Sequence, residues 1–194
     1  MHTHDSPHRF EGRRVRLYDV AARRLLRRGY RRLAADVAAT APEGADVLDV
    51  GTGPGVLLVE LARRRADLRL TGIDLSADMV RAAQRNLRPY GDRATALVGD
   101  VTGLPFPDDS FDLVVSSYSL HHWEHPEAAV PELARVLRPG GRLCVYDLPF
   151  APFDTLEGVA SASALFTGQP QRSRLSTGVP LIGRCVRFEL ATAG

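Results

Sequence analysis

Residues 46–57 read Asp-Val-Leu-Asp-Val-Gly-Thr-Gly-Pro-Gly-Val-Leu, an apolar run that breaks into glycines at alternate positions and then resumes with helical spacing. No other stretch narrows the fold as much. Val47, Leu48 and Val50 suit a buried strand, and the apolar residues from Val56 to Arg65 recur at helical intervals. Gly51, Gly53 and Gly55 therefore fall in a strand-to-helix turn. Glycines there allow positive φ and let a ligand approach the bare backbone. The free N–H groups of the helix start favour a polar or anionic group. A turn of this kind heads a doubly wound sheet that holds a nucleotide-type ligand.

The glycine spacing separates ligand types. Dinucleotide sites want G-x-G-x-x-G next to a pyrophosphate. Here the spacing is G-x-G-x-G, and Asp49 stands two residues before the first glycine. An acid there repels a pyrophosphate and suits a cationic amino group. A second strand, 68–74, ends in Asp74, whose carboxylate can accept both hydroxyls of a ribose. At the mouth of the sheet, Asp74 is expected to serve a ligand, and folding is expected to survive its replacement by alanine. Residues 77–88 read as a helix capped by Ser76. Residues 94–98 form a third strand that runs into Gly99-Asp100-Val101, and 111–117 a fourth. "ELARVLRPGGRLCVYD" gives a helix, a Pro-Gly-Gly stop and a fifth strand.

Taken in order, these signals over roughly residues 45–148 resemble the class I S-adenosylmethionine-dependent methyltransferases. Leu120-His121-His122 after the fourth strand resembles the small ubiquinone/menaquinone-biosynthesis-like members. The resemblance implies an α/β fold: a mainly parallel, seven-stranded Rossmann-like sheet in the order 3-2-1-4-5-7-6. It implies S-adenosylmethionine as cofactor, S-adenosylhomocysteine as product, and binding residues Asp49, Gly51, Gly53, Gly55, Asp74, Met79, Asp100, Val101 and Ser117. In this scheme Asp100 and the Val101 N–H take the adenine edge, Met79 packs on its face, and Ser117 lies near the methionine moiety. His121 and His122 sit where acceptors enter and are the candidates for acid–base work. Tyr18 is a candidate to close the pocket. The implied acceptor is a small hydrophobic metabolite. Two other readings stay open: an enzyme acting on an anionic macromolecule such as RNA, or a non-catalytic S-adenosylmethionine-binding protein.

With 194 residues, 44% of them apolar, the chain suffices for one sizeable core. The expected division is a tail at 1–9, a helical segment at 10–43 and the core at 44–194. No run of 18 apolar residues predicts a membrane span, and the start lacks a signal-peptide pattern, so a cytoplasmic location is expected. Cys144 and Cys185 read as reduced core residues. His2, His4 and His8 read as tail and not as a metal site. All 25 basic residues are arginine, and residues 1–40 carry ten of them against four acids. Such asymmetry can mark an anionic partner. However, Val15, Tyr18, Ala22, Leu25, Leu26, Leu33 and Val37 form an apolar stripe. The expectation is an amphipathic helical segment broken near Gly29, its arginines solvated, packed beside the cofactor site. Nucleic acid is not the expected partner. The acceptor site is expected to be open, or closed by these helices or a second subunit of a homodimer. Residues 153–165 read as a helix and 183–191 as a strand, while the strand between them is expected to be short, within 172–182.

Overall fold

The computed structural model describes residues 27–163, 165–178 and 183–192. Alternation along the strands decides the architecture. On β1 (Asp46–Val50), Val47 enters one apolar cluster, while Leu48 and Val50 enter another. On β4 (Phe111–Ser117), Leu113 and Val115 join the first and Val114 the second. Strands buried on both faces belong inside a parallel sheet covered by helices on each side. The sheet also contains β2 (Arg69–Asp74), β3 (Ala94–Val98), β5 (Leu137–Asp147), β6 (Phe166–Ser176) and β7 (Arg184–Thr192), in the order β3-β2-β1-β4-β5-β7-β6. The pairs among β1 to β5 are parallel. β7 runs antiparallel to both β5 and β6. This is the expected Rossmann-like sheet.

Helices α1 (Arg27–Thr40), α2 (Val56–Arg64) and α3 (Ala77–Leu87) supply the first cluster with Leu33, Val37, Leu57, Leu61, Val80 and Leu87. Helices α4 (Pro126–Val136) and α5 (Phe153–Ala162) supply the second with Val130, Leu133, Phe153 and Leu156. Full burial of one such side chain contributes about 1.5–3 kcal/mol. Ser76 caps α3 as expected, its side chain accepting the Met79 N–H.

Gly29 is buried in the first turn of α1, which begins at Arg27, and the residues before it lie outside the described ones. Three details differ from the sequence expectations. The arginines of α1 are not simply solvated: Arg27 and Arg31, with Arg63 of α2, converge on the buried carboxylate of Glu60, and Arg32 bonds the main-chain and side-chain oxygens of Ser176. A fully buried Tyr146 hydroxyl and Arg187 both donate to Asp36, fastening α1 to β5 and β7. Pro139-Gly140-Gly141 does not stop a helix. It lies inside β5 as an irregularity in the β4 pairing, with Gly140 at φ 75°. Finally, β6 is a full strand of 11 residues starting at Phe166. As an edge strand it tolerates Pro170 at a register shift, which is why its sequence reads as turn-rich.

Candidate active site

The turn after β1 is built from close approach. Gly51 and Gly53 have φ of 70° and 52°, a region costly for side-chain-bearing residues. A Cβ on Gly51 would stand 1.8 Å from the Ser119 hydroxyl, whereas one on Gly53 would meet nothing within 4 Å. Ser119 also accepts the Trp123 indole N–H at 2.9 Å. The turns after β1 and β4 thus touch through Gly51 and Ser119 and leave Gly53 open to a ligand.

Asp49 lies beneath this turn and is fully buried. Its Oδ2 accepts the Thr52 hydroxyl at 2.8 Å, and its Oδ1 has no hydrogen-bond partner. Burial pushes its carboxyl up to about 7, the nearby Asp74 adds to this, and the Thr52 bond opposes it. Asp74 ends β2 and is also raised by burial, against the two backbone bonds it accepts. Those bonds come from the Gly53 N–H (2.9 Å) and the Ser76 N–H (2.9 Å). This carboxylate therefore fixes both the glycine turn and the start of α3, so it bears on stability as well as on a ligand. Asp74→Ala should lower ligand-free stability by about 2 kcal/mol in urea unfolding, as bonds to charged groups are worth roughly 1.5–3 each and freed amides partly recover water.

The other expected residues spread along the carboxyl ends of the strands. Asp100 is exposed, and its Oδ1 accepts the main-chain and hydroxyl groups of Thr102. Val101 packs partly into the second core. Met79 is buried in a small cluster with Ala82, and the exposed apolar surface beside Asp74 belongs to Leu75, 73% exposed. Ser117 is buried at the end of β4. Tyr118, next in the chain, holds φ 53° and donates its N–H to Tyr146. Its ring meets Tyr30 edge-on at 5.8 Å, so α1 reaches the site through Tyr30. Tyr18, with the rest of residues 1–26, lies outside the described residues.

His121 begins a second group, in the short turn Leu120–His122 after β4. Its Nδ1 lies 2.7 Å from Asp147 Oδ1, and its main-chain N–H donates to Asp147 Oδ2 at 3.1 Å. Asp147, the last residue of β5, is fully buried and also accepts the Leu148 N–H. The His122 ring lies tilted against that of His121 with centroids 4.0 Å apart, and the ring of Phe150 stands edge-on to His121 at 5.9 Å. The sequence reading missed Asp147, Ser119, Phe150 and Leu75. Asp147 had a signal: like Asp74, it is an acid ending an apolar strand.

The family profile described as "Methyltransferase domain" matches residues 48–145, which includes the glycine turn, Asp74, Asp100 and His121. The chain belongs to the class I S-adenosylmethionine-dependent methyltransferases. Among its relatives, "Demethylmenaquinone methyltransferase" of Thermus thermophilus is 37% identical over 124 residues, covering 63% of this chain and 56% of that protein. "Ubiquinone/menaquinone biosynthesis C-methyltransferase UbiE" of Geobacter sulfurreducens is 34% identical over 108 residues, covering 54% and 42%. The methyltransferase chain spans about half the length of the curated relatives it matches. In fold it is similar to a SAM dependent methyltransferase from Aquifex aeolicus, with a TM-score of 0.72 at 19% identity, covering 95% of this chain and 100% of that one.

The residues present fit the cofactor this family uses. The unpartnered, buried Asp49 Oδ1 matches an incoming ammonium, and the space over Gly53 admits a ligand against bare backbone.

Proposed function

We propose that this methyltransferase domain binds S-adenosylmethionine across β1, β2 and β3 and methylates a small, apolar acceptor. The observation that carries the reading is the buried Asp49 oxygen left without a partner beneath an open glycine turn. Asp49 would take the amino group, and the backbone of Gly51, Gly53 and Gly55 together with Ser117 would flank the methionine part. Asp74 keeps lone pairs for the ribose hydroxyls beyond the two amides it already accepts. Leu75 and Met79 would bound the adenine, with Asp100 and the Val101 N–H at its edge. Once bound, S-adenosylmethionine supplies a methyl already activated by a sulfonium, whose sulfur keeps the C–S electron pair on transfer. The protein's share is then mostly orientation and water exclusion.

The apolar acceptor is supported by the names of the relatives and by Phe150, 74% exposed beside His121. Engagement of Arg27, Arg31 and Arg32 within the fold weighs against a nucleic-acid partner. We read residues 44–194 as the catalytic core; of the segment 10–43, residues 27–43 pack beside it and residues 10–26 lie outside the described ones. Among the described residues no helix is long and apolar enough to cross a membrane. Two buried free thiols, Cys144 and Cys185, suit a reducing, cytoplasmic setting.

Calorimetry of the purified chain should give saturable binding of S-adenosylmethionine and S-adenosylhomocysteine with micromolar-range Kd, about −8 kcal/mol. Saturable NADH binding without a response to S-adenosylhomocysteine would overturn the reading.

A further inference from the structure

We infer that Asp147 is a positioning residue that holds His121 as the Nδ1–H tautomer, so that Nε2 takes the proton from a hydroxyl on a planar, apolar acceptor. The inference rests on the proposed methyl transfer and specifies the chemistry of its acceptor. Asp147 is fully buried, and both carboxylate oxygens face the turn that carries His121: Oδ1 lies 2.7 Å from Nδ1, and Oδ2 accepts the His121 main-chain N–H. A carboxylate only accepts hydrogen bonds, so the contact requires the proton on Nδ1, and in a neutral ring Nε2 is then the basic nitrogen. The Leu148 N–H also donates to Asp147, so three donors fix the carboxylate. Among the described residues no other hydrogen bond or ion pair reaches the Asp147 carboxylate. The His122 ring lies tilted against that of His121. Tyr118 and Cys185, which feel the Asp147 charge, are both pushed upward, chiefly by burial.

The His121 side chain is 19% exposed, so the ring reaches the surface at the carboxyl ends of β4 and β5. Phe150 stands edge-on to it and is 74% exposed, an apolar wall next to the base. A flat ring can lie against Phe150 with its hydroxyl toward Nε2. In the step, the acceptor O–H bond breaks and the proton goes to Nε2. The oxygen keeps the electron pair that forms the new bond to carbon. The resulting imidazolium is balanced by Asp147 and returns its proton to water. An acceptor that is already ionised needs none of this, so the dyad marks the acceptor as one carrying its proton at neutral pH.

The test uses the full chain and two readouts. Nitrogen-15 NMR of the imidazoles, without cofactor, should show His121 as the Nδ1–H tautomer in the wild type. In Asp147→Asn the tautomer should move toward Nε2–H. Methyl transfer from labelled S-adenosylmethionine would be followed with 1-naphthol and with the more acidic 4-nitro-1-naphthol. General-base catalysis contributes roughly 10²–10⁴-fold. Both His121→Gln and Asp147→Asn should therefore lower kcat for 1-naphthol by about 100-fold or more. They should also remove its fall on the acid side and cost far less with the nitro compound. His121→Gln, at a partly exposed position, keeps the test valid if Asp147→Asn does not fold. An unchanged tautomer, equal losses for both acceptors at every pH, or no methylation of either acceptor by the wild type would overturn the inference. Retained S-adenosylmethionine binding in calorimetry would leave the cofactor reading standing in each of those cases.

Discussion

Asp49→Asn is expected to make the ligand-free methyltransferase more stable above neutral pH while weakening its hold on S-adenosylmethionine. Burial raises the folded-state carboxyl from its ordinary 3.8 to about 7. Between these values the folded chain keeps a proton that the unfolded chain has released, so stability falls as pH rises through the interval and levels off above about 7. At 1.36 kcal/mol per pH unit, the full cost of charging Asp49 is about 4 kcal/mol. An asparagine avoids that cost but places an amide N–H₂ where Oδ1 has no partner, which returns a penalty of about 1–3 kcal/mol. The net gain should be about 2 kcal/mol near pH 8 and should turn into a loss of about 1–2 kcal/mol near pH 4, where wild-type Asp49 is mostly neutral and only the amide penalty remains. Urea unfolding at the two pH values measures it directly. Calorimetry of the same variant should show S-adenosylmethionine bound at least about tenfold more weakly, since a bond to a charged partner is worth roughly 1.5–3 kcal/mol. A variant that is less stable than the wild type at pH 8 would refute the account of Asp49.

Gly51→Ala is expected to be the more damaging change. The new Cβ would sit 1.8 Å from Ser119 Oγ, and alanine would have to hold φ 70°. The backbone conformation costs about 1–2 kcal/mol and the overlap about 1–3 more. Displacing Ser119 also breaks its bond from Trp123, worth about 1 kcal/mol. A loss of about 3–6 kcal/mol in chemical unfolding follows, with cofactor binding abolished. Adding Ser119→Gly should restore the part due to overlap and leave the part due to φ. Full additivity of the two changes would show that the contact is not the cause.

The sequence is most legible where one segment determines its own structure. Asp49, the glycine turn and Asp74 stand within 26 residues, and the fold follows from the alternation of Val47, Leu48 and Val50. Ser76 marks its helix start because capping is local. The dyad is not legible in that way, since His121 and Asp147 are 26 residues apart and meet only when β4 and β5 pair. The same holds for Gly51 against Ser119, a contact between two turns that no local pattern encodes. β6 is hidden for a different reason. Its side chains are mostly exposed, so selection for burial leaves no alternation to read, and Gly168 and Pro170 imitate a turn. The arginines of α1 misled in a third way, because a helical wheel separates polar from apolar faces but cannot place Glu60 of α2 under Arg27 and Arg31.

Charge is sorted along the strands. At their amino ends, Asp46 and Asp112 are neutralised by Arg69 and Arg138. At their carboxyl ends stand Asp49, Asp74, Asp100 and Asp147, and among the described residues none of these four pairs with an arginine. One rim of the sheet is therefore electrically quiet and the other is a negative basin. In the proposed reaction the ligand enters that basin with a cationic sulfur and leaves with a neutral one. The attraction that gathers the methyl donor is thus cancelled by the chemistry itself, and the spent molecule is the one the rim has less reason to keep.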